Sequence, residues 1–116
     1  MQALQTEFFK HEIETKLFHF QTDDYGAHKA SDAYLVKLRA NADRFMETLR
    51  GHMSDKAGHI ARIDLQVKAP TDKSYPKRVA AFGSLLQELK LPADVAAVRD
   101  ELVADAHQLL YLLRFR

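Results

Sequence analysis

The chain contains no cysteine and no tryptophan among its 116 residues. Without cysteine, neither a disulfide framework nor a thiolate metal site can form. An excess of one charge is also missing, because 17 Lys and Arg residues balance 16 Asp and Glu residues. Non-specific nucleic-acid binding therefore has no electrostatic driver. The first nine residues hold no Lys or Arg, which argues against a basic N-terminal arm.

Long apolar runs are absent too. No stretch approaches the roughly 18 apolar residues of a membrane span, and the N-terminus lacks a charged segment followed by an apolar one. We therefore expect a soluble, cytoplasmic protein that makes no contact with membranes. A chain of 116 residues is long enough for one hydrophobic core but not for two. The sequence predicts a single domain over residues 1–116.

Apolar residues recur at helical spacing in four segments. The first covers about residues 3–20. The second runs from a cap at 22–24 to Arg50, with Gly51 as its stop. The third has Pro76 in its first turn, and the fourth follows Pro92. The predicted core positions, in chain order, are Leu4, Phe8, Ile13, Leu17 and Phe20; Leu35, Leu38, Ala42, Phe45 and Leu49; Val79, Phe82, Leu85, Leu86 and Leu89; and Val95, Val98, Leu102, Ala106, Leu109 and Leu113.

The helical period disappears between residues 52 and 73. Here Ile63, Leu65 and Val67 alternate with Asp64 and Gln66, which predicts a short extended piece. Two helices, a long connection and two further helices are the plan of a bundle with one crossover. The fold class predicted from the sequence is therefore all-α: an antiparallel four-helix bundle with one long crossover between helices 2 and 3.

Five side chains near the N-terminus have the chemistry of metal ligands: His19, His28, Asp32, Asp43 and Glu47. His28 and Asp32 are four residues apart, as are Asp43 and Glu47. Eleven residues separate Asp32 from Asp43, which is about three helical turns. On a continuous helix these four side chains lie along one stripe. His19 comes just before the turn that leads into that helix.

The position of this stripe on the helix bears on how a metal site could form. Phe45 is about 200° around the axis from Asp43, so the stripe points away from the core of its own chain. The His28/Asp32 and Asp43/Glu47 pairs are centred about 22 Å apart along the axis. A single metal centre cannot use both pairs from one chain. Two copies of helix 2 packed antiparallel about a two-fold axis would bring the pairs together, which predicts a homodimer with two equal interfacial sites.

Imidazole with several carboxylates suits iron, manganese or zinc. The like charges of Asp43 and Glu47, four residues apart, destabilise an isolated helix slightly, which favours a bound cation. An alternative stays open at this point. Acidic and histidine side chains on the outer side of a helix are commonly a solvated face with no ligand.

The segment 17–32, LFHFQTDDYGAHKASD, and the segment 43–47, DRFME, resemble the ferroxidase region of the mini-ferritins. These are the Dps-like branch of the ferritin-like superfamily, named as DNA-binding proteins from starved cells. Members of that family end the first helix with a histidine, open the second with His-x-x-x-Asp and continue with Asp-x-x-x-Glu. The family's metal site forms between two subunits.

This resemblance implies Fe(II) oxidation by peroxide or dioxygen at a mono-iron or di-iron site. Iron would bind His28, Asp32 and the partner's Glu47, while His19 and Asp43 would help a second, weaker iron. It also implies a homo-oligomer, at least a two-fold dimer, with a larger cage left open. The chain departs from the family in its shorter length and in Phe20, which replaces the usual tryptophan. With no basic tail, DNA binding is not expected.

Other readings compete with this one. The helices could form a non-enzymatic interaction or structural module whose polar stripe binds no metal. Alternatively, the Lys and Arg residues at 68, 73, 77 and 78 could contact nucleic acid, although the near-zero net charge argues against this. His107 lacks a carboxylate three or four residues before it, so we interpret it as a surface residue. Tyr25 and Tyr34 are interpreted as packing residues.

Overall fold

The computed structural model describes residues 1–54 and 59–115. In this part of the chain all regular structure is helical: α1 spans Gln2–Gln21, α2 Tyr25–Arg50, α3 Tyr75–Gln87 and α4 Ala93–Leu112. α1 packs against α2 and α3, and α4 packs against the same two helices. The four helices therefore enclose a common core, which confirms the predicted helical bundle. No helix in the described ranges combines the length and apolarity needed to cross a bilayer.

The helix ends follow the local signals. The Asp24 side chain accepts hydrogen bonds from the amides of Gly26 and Ala27 at the start of α2, which satisfies two of the donors that a helix N-terminus leaves free. α2 ends before Gly51 as predicted, but Gly51 has right-handed φ and ψ angles of −60° and −21°. The end of α2 therefore does not depend on glycine's access to left-handed conformations.

The predicted core is confirmed in α2, α3 and α4, where the apolar residues follow one face. The positions that the sequence placed there are buried or packed against the buried cluster. The most enclosed, each with at most 2 % exposure, are Leu38, Phe45, Val79, Leu86, Val95, Val98, Leu102, Ala106 and Leu109.

The predicted core face of α1 is wrong at two positions. Ile13 is 41 % exposed and Phe20 is 68 % exposed. Phe8 is buried as predicted, and the other buried side chains of this helix are His11, Glu14, Thr15, Phe18 and His19. Apolar residues are spread around α1, and its buried face includes polar side chains. The apolar pattern alone therefore assigned some exposed residues to the core.

A matched pair of substitutions distinguishes the two faces of α1. Phe18→Ala removes a ring that is 2 % exposed and stacked on Tyr75 at 4.1 Å. It should lower the free energy of unfolding by about 3–5 kcal/mol. Phe20→Ala should lower the free energy of unfolding of a single copy by less than about 1 kcal/mol, because within one copy that ring is largely in solvent. If urea unfolding showed an equal loss of unfolding free energy in the two variants, this assignment of the buried face would be wrong.

The segment that leads to α3 forms no strand in its described residues, 59–74. Leu65 and Val67 are half-buried while Asp64 and Gln66 are exposed, but Ile63 is 39 % exposed, so the predicted alternation appears as a burial pattern only from residue 64 to residue 67. No neighbouring strand pairs with the segment there, and for this reason it gains no β ladder. Residues 55–58, which belong to the predicted connection, lie outside the described residues.

Polar contacts join α2 to α4. Lys37 donates to Gln108 at 3.0 Å, Asn41 donates to Asp105 at 2.9 Å, and Arg44 approaches Glu101 at 3.4 Å. The residue numbers fall along α4 as they rise along α2. These contacts lie beside the apolar interface between α2 and α4. The stripe that carries Asp32, Asp43 and Glu47 lies on another side of α2.

Candidate metal centre

The short turn between α1 and α2 brings two of the five predicted ligands together. His19 lies in the last turn of α1 and His28 in the first turn of α2. Their rings stack with centroids 4.0 Å apart and planes 17° from parallel. The turn is held by the Asp24 cap and by Thr22, whose hydroxyl donates to Asp72 at 2.6 Å. Local capping and one long-range hydrogen bond therefore position both imidazoles.

Each histidine ring also bonds to the backbone of the other. His19 Nδ1 lies 2.9 Å from the His28 carbonyl oxygen, and His28 Nδ1 lies 2.8 Å from the His19 carbonyl oxygen. A carbonyl oxygen can only accept, so each Nδ1 must carry the hydrogen. In the neutral rings both Nε2 atoms then present lone pairs. This tautomer allows each imidazole to bind a metal through Nε2, and backbone contacts of this kind commonly orient metal ligands.

The third predicted ligand lies near the histidine pair. Asp32 Oδ1 is 3.9 Å from His19 Nε2, and its side chain is 61 % exposed. This distance is too long for a hydrogen bond. It leaves the carboxylate and the imidazole lone pair facing the same region without direct contact.

The remaining two predicted ligands, Asp43 and Glu47, lie on the far half of α2 and are exposed. Over residues 1–54 and 59–115, no three His, Cys, Asp or Glu side chains of one chain converge as a group that could hold a metal ion. One copy thus brings together His19 and His28 with Asp32 nearby, and does not bring Asp43 or Glu47 to them.

The outer face of the α1/α2 pair carries an unusual number of exposed apolar side chains. On α2, Val36 is 67 % exposed, midway between the two predicted ligand pairs. On α1 the exposed residues are Phe9 at 47 %, Ile13 at 41 % and Phe20 at 68 %. A cluster of this kind on the side that bears the predicted ligands is typical of an interaction surface.

Charged groups lie between these apolar residues. Arg39 is 3.9 Å from Glu12. Burial raises the pKa of Glu12; the positive charge of Arg39 opposes the rise, and the negative charge of Asp43 adds to it. Glu12 therefore interacts with the middle of α2 and with Asp43. The acidic groups on this face already repel each other within one copy.

The sequence reasoning missed a buried polar cluster in the core. His11 is 1 % exposed, stacks on Phe82 at 4.1 Å and lies 2.7 Å from the Tyr34 hydroxyl through Nε2. Its Nδ1 has no hydrogen-bond partner, and the nearest carboxylate oxygen, Oε1 of Glu14, is 3.8 Å away. Arg78 donates to Glu14 at 2.8 Å. Tyr34 is confirmed as a packing residue.

Electrostatics assign the His11 tautomer. With hydrogen on Nδ1, the ring directs an N–H at the Glu14 carboxylate and accepts from the Tyr34 hydroxyl. In the other tautomer the lone pair of Nδ1 would face the negatively charged Glu14 carboxylate, which is unfavourable. Burial lowers the pKa of His11 despite the opposing influence of Glu14. Burial also acts to raise the pKa of Glu14, but interactions with His11 and Arg78 outweigh it and leave that pKa below its usual value.

This arrangement predicts a loss of stability in mild acid. Because burial holds the pKa of folded His11 below the ordinary imidazole value of about 6.5, the unfolded chain binds a proton there more readily than the folded one. Stability should therefore decline as pH falls below about 6.5, by up to about 1.4 kcal/mol per pH unit from this one group. The contribution of Glu14 to the free energy of unfolding should be lost only at lower pH, below about 4.5.

Urea unfolding of His11→Gln between pH 7.5 and 5 tests this prediction. The variant should be less stable at pH 7 and should show a shallower pH dependence than the wild type. His107→Gln, a substitution at an exposed position of α4, is the matched control. A His11→Gln slope equal to that of the wild type would rule out the buried imidazole as the source.

Comparisons with known proteins add no assignment to this geometry. No protein-family model, no curated protein and no solved structure matches the chain.

Proposed function

We propose that the chain forms an antiparallel four-helix bundle of the ferritin-like type, with a long crossover between α2 and α3. The fall of residue numbers along α4 as they rise along α2 supports the antiparallel arrangement. The packing partners support it as well, since each helix contacts two others around one core. The segment between Arg50 and Tyr75 would be the crossover.

We further propose that two copies associate through the outer faces of α1 and α2 about a two-fold axis. α2 of one copy would run antiparallel to α2 of the other, with Val36 near the axis. The exposed apolar residues of this face are Phe9, Ile13, Phe20 and Val36, and their burial favours association. The register that sets His28 opposite Glu47 also sets Asp32 opposite Asp43. Two facing carboxylates repel unless a cation lies between them.

In this dimer each metal site uses residues of both copies. His19, His28 and Asp32 would come from one copy, and Asp43 and Glu47 from the other. The observation that carries the proposal is the reciprocal histidine pair, because both Nδ1 atoms are occupied by carbonyl oxygens and both Nε2 lone pairs are left for a ligand. Neutral imidazole and carboxylate together suit iron, and manganese or zinc could substitute.

The proposed reaction is oxidation of Fe(II), bound as substrate, by peroxide or dioxygen. Two Fe(II) ions supply the two electrons that reduce one peroxide. The protein's part is to fix the ligands and to hold negative charge where Fe(III) forms. His28, Asp32 and the partner's Glu47 would hold the first iron, while His19 and Asp43 would support the second.

One observation favours a second candidate, an interaction or structural protein without metal chemistry. The His19 carbonyl lies in the last turn of α1, where helix carbonyls lack partners, and His28 Nδ1 donates to it at 2.8 Å. The histidine pair therefore also fastens α1 to α2. That role requires Nδ1 of both rings and places no demand on Asp32, Asp43 or Glu47.

Peroxide consumption separates the two candidates. Protein loaded with Fe(II) under anaerobic conditions should consume about one peroxide for every two irons, with the appearance of Fe(III) absorbance. His107→Ala, on the exposed side of α4, should leave the rate unchanged. Oxidation no faster than that of free Fe(II) in the same buffer would exclude ferroxidase activity and leave the structural role of the histidine pair.

A further inference from the structure

Tyr25, the first residue of α2, carries a ring that its own chain does not bury. It is 73 % exposed, the most exposed of the large hydrophobic side chains in the described residues. Among the described residues its ring has loose contacts, with a centroid 6.2 Å from that of His28 and 6.0 Å from Lys29 Nζ. The interpretation of Tyr25 as a packing residue is therefore wrong within one copy. An aromatic side chain left in solvent in this way is a candidate anchor for a partner.

An open pocket lies at the opposite end of the same helix. Its volume is about 320 Å³, and its lining includes Phe8, Phe9, Met46 and Arg50 together with the carboxylates of Glu12 and Asp43. Phe9 is 47 % exposed there, although it stands beside the buried Phe8. The pocket thus offers aromatic and thioether walls next to a guanidinium group. These are surfaces on which a tyrosine ring packs well, by apolar contact and by cation–π attraction.

The ring and the pocket are related by the same register that pairs the proposed metal ligands. In an antiparallel pair of α2 helices, His28 faces Glu47 and Asp32 faces Asp43, so the two-fold axis passes between Lys37 and Leu38. Tyr25 and Arg50 are equally far from that midpoint. At about 100° per residue they also lie within about 20° of each other around α2, on the stripe that carries Asp32 and Asp43. The same two-fold axis therefore pairs the metal ligands with each other and Tyr25 with Arg50.

We propose that Tyr25 of each copy inserts into the pocket beside Arg50 of the other copy. A two-fold dimer contains two such contacts, one at each end of the paired α2 helices, and each pocket adjoins a metal site because Asp43 also lines it. This proposal rests on the dimer described under the proposed function and adds the residues that set its register. Tyr25 is the anchor, and Phe9, Met46 and Arg50 form its receptor.

The absence of tryptophan makes this contact measurable. Tyr25→Trp places a single indole at the anchor position, so all tryptophan fluorescence reports on it. As the protein concentration is raised through the dimerisation range, the emission should shift to the blue and become protected from acrylamide quenching. Tyr111→Trp, at a tyrosine of α4 that is 54 % exposed, is the matched control and should remain exposed at every concentration.

Sedimentation of alanine variants gives the second readout. Tyr25→Ala should raise the dimer dissociation constant about tenfold or more, because each dimer loses two aromatic anchors. Tyr111→Ala should leave it unchanged. A wild-type protein that stays monomeric would overturn the dimer and this contact together. A wild-type dimer in which Tyr25→Trp stays exposed and Tyr25→Ala has no effect would overturn this contact alone.

Discussion

Replacing Asp32 with alanine should weaken Fe(II) binding by at least about 100-fold and leave the helices intact. The Asp32 side chain is 61 % exposed and only approaches His19 Nε2, at 3.9 Å. Its loss therefore removes no buried contact, and the free energy of unfolding should change by less than about 0.5 kcal/mol. The loss in affinity should be large because even the groups that orient metal ligands contribute about 10–100-fold. Anaerobic calorimetry and circular dichroism measure the two effects.

The control for this experiment is Asp23→Ala, which removes an exposed carboxylate from the turn before α2. It changes the net charge equally but lies outside the stripe. Unchanged Fe(II) affinity in Asp32→Ala would show that the ligand assignment is wrong. Loss of helical content in that variant would show that Asp32 has a structural role that its exposure does not reveal.

The second large effect is expected at the proposed two-fold axis. In the antiparallel register Val36 of one copy faces Arg39 of the other. Val36→Arg should place like charges together and raise the dimer dissociation constant by at least about 100-fold, because like charges juxtaposed in an interface cost several kcal/mol. Iron binding should be lost with the dimer although all five ligand residues remain. Folding should be unaffected, since Val36 is 67 % exposed in one copy.

Val36→Glu provides the matched control. It also replaces valine with a long charged side chain, but its charge is opposite to that of the facing Arg39. The dimer and its iron binding should therefore be retained. Equal dissociation by both variants would mean that apolar burial, rather than this register, governs the contact. If neither variant changed the dimer dissociation constant, the interface would lie elsewhere.

The sequence predicted the parts of the fold that depend on one-sided periodicity. α2 and α4 have apolar residues along a single face, and Leu38, Phe45 and Leu102 were correctly assigned to the core. α1 has apolar residues on two sides, so Ile13 and Phe20 were assigned to the wrong one. The outward position of these two residues is itself informative, because a helix with a second apolar face favours a second contact.

The buried polar cluster could be anticipated only in part. His11 and Thr15 have helical spacing with Phe8 and Phe18, which hints that polar groups share the inner face of α1. The partner of His11, Tyr34, is 23 residues away in the sequence, and no local pattern predicts that contact. The tautomers of His19 and His28 likewise depend on carbonyl positions that a residue pattern does not contain. The spacing predicts which residues are candidate ligands, but it cannot predict which nitrogen of each imidazole carries the hydrogen.

The most direct test of the central claim, a metal site shared between two copies, is a mixing experiment. Asp32→Ala and Glu47→Ala chains are each expected to lose tight Fe(II) binding, because both residues belong to the first iron. Mixed and allowed to exchange, they form heterodimers with one intact site and one doubly broken site. Random exchange should therefore restore about a quarter of the wild-type sites in an anaerobic Fe(II) titration. No recovery, in a mixture shown by mass spectrometry to contain heterodimers, would contradict a site shared between copies.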